Sequence, residues 1–280
     1  MCKKFLKVAA VAAVVAVAVP FTACKKDDGV KKEVFSGYAQ KGPFVVGSSV
    51  TISELKASLE QTGKTYSTII SDNSGSFEQK NIELVSNYVE LKVEGYYFEE
   101  IGGSVSMAPI TLYALADITD VNSANVNVLT HLEKPRVEYL IKQGVSFSDA
   151  KQQAQSEICA IFGFNPPKTS SEALDLTNSA MLIAISCILP ANRLITGELT
   201  ELMANISADI KTDGKLDNIA LGKKLIDNAI ILNTIDVNDN LTFLPRIRKN
   251  LETKYAEMGI SVTIPDFESY IQAFAKSNLY

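Results

Sequence analysis

The chain of 280 residues has no tryptophan and one histidine. With His131 alone, in Thr130-His131-Leu132-Glu133, there is no H-E-x-x-H helix and no Cys/His cluster of zinc spacing. A Ser-His-Asp triad would have to use this imidazole, yet no G-x-S-x-G elbow exists to present the serine. A polar residue on or just beneath a helix surface is the plainer reading of His131. Phosphate loops and dinucleotide fingerprints are also lacking, so no cofactor is expected. Basic residues are outnumbered, 27 to 32, and form no stripe, which excludes nucleic acid as a partner. Cysteine is scarce. Beyond Cys2 and Cys24 only Cys159 and Cys187 remain, each in an apolar helical pattern. Buried free thiols are the default there, and a disulfide stays open as the alternative.

Some fragments imitate known sites and fail on inspection. Ser148-Asp149-Ala150-Lys151 is S-x-x-K and Ser71-Asp72-Asn73 is S-D-N, two signatures of penicillin-binding enzymes. Their order in the chain is reversed, and Lys211-Thr212-Asp213-Gly214 interrupts the third, K-T-G. Ser148 is explained without chemistry as a helix cap. Asp209-x-Lys211-x-Asp213-Gly214 has a calcium-loop glycine but lysine at the third position and Ala220 at the twelfth. Asp236-x-Asn238-x-Asn240 lacks the glycine, having Leu241, and the final glutamate, having Ile247. No metal site and no enzymatic activity are expected.

What is present begins with an address. Lys3, Lys4 and Lys7 precede an unbroken Ala/Val run of 12 residues, Val8 to Val19. That is the length of a signal-peptide core and short of the roughly 20 residues a spanning helix needs. Pro20 ends it, and Phe21-Thr22-Ala23-Cys24 places small residues before a cysteine. The motif resembles the bacterial lipobox, with phenylalanine where leucine is usual. The resemblance implies cleavage after Ala23 and a lipid, diacylglycerol and palmitate-type acyl chains, on Cys24. Lys25-Lys26-Asp27-Asp28 then resembles the charged patch of surface lipoproteins of Bacteroidota-type bacteria, and no aspartate follows Cys24 directly. The expected location is the outer membrane, lipid-anchored and facing the cell surface. Removing the leader takes three lysines and moves the net charge from −5 to −8.

From residue 34 the texture is β. Val34–Ala39 and Ser49–Ser53 read as strands, Leu55–Thr65 as a long connection to the run Tyr66–Ile70, and Asp72-Asn73-Ser74-Gly75 as a tight turn. In Val89–Glu94 apolar and charged residues alternate, and Ile110–Tyr113 is the last candidate strand. The succession of Gly37, Gly47–Ile52, Asp72–Phe77 and Val89–Tyr96 resembles the carboxypeptidase-regulatory-like, transthyretin-type β-sandwich over roughly residues 35–113. In that family the module is usually a non-catalytic spacer or adhesive domain.

After Tyr113 the period becomes helical, with Asn127 placed to cap a helix at Val128, Pro135 placed to kink or break it, and Gly144 to stop it. Residues 180–189 are apolar nearly all round and read as a buried central helix. About seven helices are expected. The reading is α+β in two domains: leader 1–23, charged tether 24–33, antiparallel β-sandwich 34–116 and all-α bundle 117–280. Tyr88, Tyr96, Tyr97 and Phe98 are the candidate ligand or interdomain aromatics near one end of the sandwich. The expected role is non-catalytic binding or structure at the envelope. The alternative is a glycan- or nutrient-binding lipoprotein beside an uptake system, and the partner, protein or glycan, is not named by the sequence.

Overall fold

A computed structural model describes residues 29–191, 195–234 and 242–280. The leader, the lipobox with Cys24 and the Asp236–Asn240 fragment lie outside the described residues. The described chain is α+β, with nine strands and seven α-helices.

The first sheet sets β1 (Lys31–Gln40) between β4 (Ser76–Glu83), antiparallel, and the two-residue β9 (Val126–Asn127), parallel. The second is wholly antiparallel, in the order β3 (Gln61–Ile69), β2 (Ser49–Leu55), β5 (Tyr88–Gly95), β8 (Ile110–Asp117). A small hairpin of β6 (Phe98–Glu99) and β7 (Ser104–Val105) follows β5. β1 thus starts inside the stretch read as tether, and β9 lies inside the stretch read as helical.

The β5 alternation is realised as read: Val89, Leu91 and Val93 are buried while Glu94 is exposed. The Asp72–Gly75 turn joins β3 to β4, with the Asp72 carboxylate accepting from the Ser74 N–H at 2.8 Å. Gly75 has φ +82, and a Cβ there would stand 2.4 Å from the Ala39 carbonyl oxygen, so the turn needs glycine. The connection expected over Leu55–Thr65 is mostly strand. β2 reverses over Lys56–Glu60, closed by the Lys56 N–H to the Glu60 carbonyl at 2.8 Å, and β3 already begins at Gln61. β3 is an exposed edge strand whose polar residues give no alternation to read. Its register also slips against β2 between Ser53 and Leu55, where Glu54 turns inward and accepts from Thr62, Val85 and Ser86.

The helices are α1 (Val128–Lys142), α2 (Phe147–Ile161), α3 (Ala180–Ile188), α4 (Thr196–Ile210), α5 (Ile219–Leu232), α6 (Phe243–Glu257) and α7 (Glu268–Ala275). Asn127 caps α1 in a reciprocal box with Thr130. Pro135 neither breaks nor ends α1, which packs along α2 and β8. α2 is capped by Ser146 rather than Ser148, because the helix starts two residues earlier than its sequence pattern suggests. α3 is buried from Met181 to Ile188. One apolar cluster runs without a break from Phe35, Phe77, Ile52 and Leu91 in the sheets to Leu182, Ile206 and Phe274 in the helices.

Candidate functional site

The four candidate aromatics do not converge. Tyr88 opens β5 and its ring meets Phe147 of α2, centroids 4.8 Å apart. Tyr96, Tyr97 and Phe98 follow the other end of a strand of eight residues, about 25 Å long. Tyr96 is 46 % exposed, whereas Tyr97 and Phe98 are buried. Tyr97 contacts Phe44 and lies under the Lys41 ammonium; Phe98 lies under Lys254 of α6. A single stacking platform built from all four is excluded by this placement.

Fully buried charge is what sequence reasoning missed. Lys41 and Glu100 are both without solvent exposure and pair at 2.7 Å. Glu100 also accepts from the Gly42 N–H at 2.9 Å and the Ser186 hydroxyl at 2.6 Å. Burial works against both charges and pushes the Glu100 carboxyl up. Three donors on the carboxylate oppose that rise, and Glu100 outweighs the burial of Lys41, whose pKa is raised so that the ammonium is held charged. The cluster ties the β1 end and the β6 region to α3.

A second cluster joins α1, α2 and the 3-10 turn Ser171–Ala173. Lys151 lies 2.7 Å from Glu133 and 3.0 Å from Glu172, the latter contact off the hydrogen-bond axis. Ser171 donates to Glu133 and accepts from Gln155 at 2.9 Å. Burial raises the Glu133 carboxyl, while Lys151, buried between two carboxylates, is raised and stays charged. The lysine of the S-x-x-K fragment is therefore a protonated counter-ion, and no free amine faces Ser148 or Ser171. Ser71 of the S-D-N fragment bonds Ser76 across its turn. Nothing in the local sequence marks these pairs, because their members stand 59 and 18 residues apart in the chain.

His131 stacks on Tyr113, centroids 5.9 Å apart, with its Nδ1 buried and unpartnered. Burial and the nearby Lys134 push its pKa down to about 4, so the ring is neutral. Cys159 and Cys187 are buried free thiols. Burial pushes Cys159 up to about 12 and Cys187 well above the ordinary thiol range. Asp209 accepts from the Asn218 N–H and Asp213 from the Lys215 N–H, so both serve turns. Among the described residues no group of three or more His, Cys, Asp or Glu is poised for a metal, and no helix is long and apolar enough to cross a membrane.

Several cavities remain among the described residues. A cleft of about 590 Å³ lies between β1, the Asp72–Gly75 turn region and the Ser170–Asp175 segment. A pocket of about 400 Å³ adjoins it through Asp117, Ser170 and Glu172 and reaches Phe147 and Lys168. A small well of about 150 Å³ shares Tyr38 and Asp175 with the cleft and reaches Tyr255. A groove of about 620 Å³ runs past Tyr97, Met107 and Ile195. No family model, curated protein or solved structure matches the chain.

Proposed function

We propose that this is a lipid-anchored protein of the outer membrane or cell surface with a non-catalytic binding or structural role. The observation that carries the non-catalytic reading is the state of the buried polar groups. Lys41, Glu100, Glu133, Lys151 and Arg136 are spent on ion pairs between elements, and the only imidazole is neutral with its buried Nδ1 unpartnered. A general base or an activated nucleophile needs a partner aligned with it. These groups are aligned with each other.

The address rests on Phe21-Thr22-Ala23-Cys24 and the Lys25–Asp28 patch. With Cys24 lipidated, only six residues separate the anchor from β1 at Lys31, so the first strand starts within about 25 Å of the lipid. In this reading the two main sheets are the transthyretin-type sandwich and act as a spacer, and the helices carry the binding surfaces. Shared burial of Phe35 and Phe77 with Ile52 and Leu91 supports the sandwich. The test is fractionation of cells making the wild type or Cys24→Ser, with protease shaving of intact cells. Wild type in the membrane fraction and cleaved from outside supports the proposal. An equally membrane-bound and processed Cys24→Ser variant would refute it.

A further inference from the structure

Tyr255 is the starting point. It is 2 % exposed, and its hydroxyl has no hydrogen-bond partner. Gln40 is a polar neighbour near enough to act on the hydroxyl as a weak donor, but the pair does not meet with hydrogen-bond geometry, and the Gln40 Oε1 accepts from the Leu176 N–H at 2.9 Å. A buried hydroxyl left in this state is costly and calls for an occupant that can give or take a hydrogen bond. Tyr255 lines the small well, whose volume of about 150 Å³ is that of a void able to take one six-membered ring.

The walls say what kind of ring. Tyr38 and Ile260, each 40 % exposed, give the well an apolar lip, and the flat C–H face of a sugar packs on such surfaces. Gln40, Ser74 and Thr177 supply polar groups already oriented by bonds within the chain. Beyond the shared Tyr38 and Asp175, the cleft continues with serine hydroxyls at Ser36, Ser71, Ser76, Ser123 and Ser170. Neither cavity is lined by lysine, arginine or histidine, so phosphates, sulfates and acidic sugars find no counter-ion. The carboxylates do not ask for a cation either. Glu172 is paired with Lys151 and Glu78 with Lys80, while Asp117 and Asp175 accept from neighbouring N–H and O–H groups. What the walls offer is a set of groups that both donate and accept, which suits a polyol.

We propose that the well and the cleft together form a saccharide site, with one neutral pyranose unit seated against Tyr255 and further units running along the serine-lined cleft. The proposal rests on the binding role proposed above and supplies its ligand class, at a place other than the β5 aromatics.

The test is isothermal titration calorimetry on the full mature chain with neutral gluco-, manno- and galacto-oligosaccharides, an oligogalacturonate and spermidine. At least one neutral oligosaccharide binds, and Tyr255→Phe weakens it about tenfold, the loss of one good hydrogen bond. This variant removes only a hydroxyl that makes no well-formed hydrogen bond in the chain, so its melting temperature stays close to that of the wild type. Tyr38→Ala also weakens binding, and Tyr88→Ala leaves it unchanged. Absence of binding by every neutral oligosaccharide, binding of the acidic sugar or the amine alone, or a Tyr255→Phe affinity within twofold of wild type would each overturn the site. Release of new reducing ends would overturn the non-catalytic role and leave the site standing.

Discussion

Replacing His131 with phenylalanine should remove a specific acid weakness. In the unfolded chain this imidazole titrates near its ordinary 6.5, and in the fold at about 4. Between those values the unfolded state binds a proton that the native state does not, so stability falls as the pH drops from 6.5 towards 4. The gap corresponds to about 3 kcal/mol, an upper bound because the ring is only partly covered although its Nδ1 is buried. Phenylalanine keeps a ring against Tyr113 and has no nitrogen to protonate. Urea unfolding of both proteins at pH 7.0, 6.0, 5.0 and 4.5 reads the effect as their difference, in which the carboxylates common to both cancel. The His131→Phe protein should gain on the wild type by about 2 kcal/mol between pH 7.0 and 4.5. Parallel stability curves across that range would refute the buried, neutral imidazole.

Three further outcomes follow from the buried groups. Lys41→Met leaves Glu100 buried without its counter-ion and should cost about 3–5 kcal/mol in urea unfolding, with most of it recovered in Lys41→Met/Glu100→Gln; a single-variant loss under about 1 kcal/mol contradicts the pair. Asn127→Ala removes the α1 cap and the amide bonds to the Ser171 and Leu174 carbonyls, and should lower stability by about 1–2 kcal/mol. Cys159 and Cys187 should ignore a thiol reagent until the protein unfolds and then both react without reductant; a pair that stays unreactive in urea is a disulfide.

Much of the framework was legible in the sequence where a local rule decides the outcome. β5 shows because one face is buried and the other is not, α3 because it is buried all round, and the α1 start because an asparagine at the cap has a mechanism of its own. Reading failed where the deciding partner is remote. The first half of β3, residues 61–65, hides because an exposed edge strand leaves no alternation, and β9 because a two-residue strand exists only through β1. The Tyr88 and Tyr96–Phe98 rings looked like one group because closeness in sequence says nothing about opposite ends of a strand. The Lys41–Glu100 and Glu133–Lys151 pairs and the unpartnered Tyr255 hydroxyl emerge only from packing.

The most direct test of the envelope role is the mass of the mature N-terminus. Protein purified from the membrane fraction, digested and measured by mass spectrometry, should yield a first peptide that begins at Cys24 and carries a diacylglyceryl group with an added acyl chain. A first peptide that retains residues before Cys24, or begins at Cys24 with an unmodified thiol, would contradict the anchor.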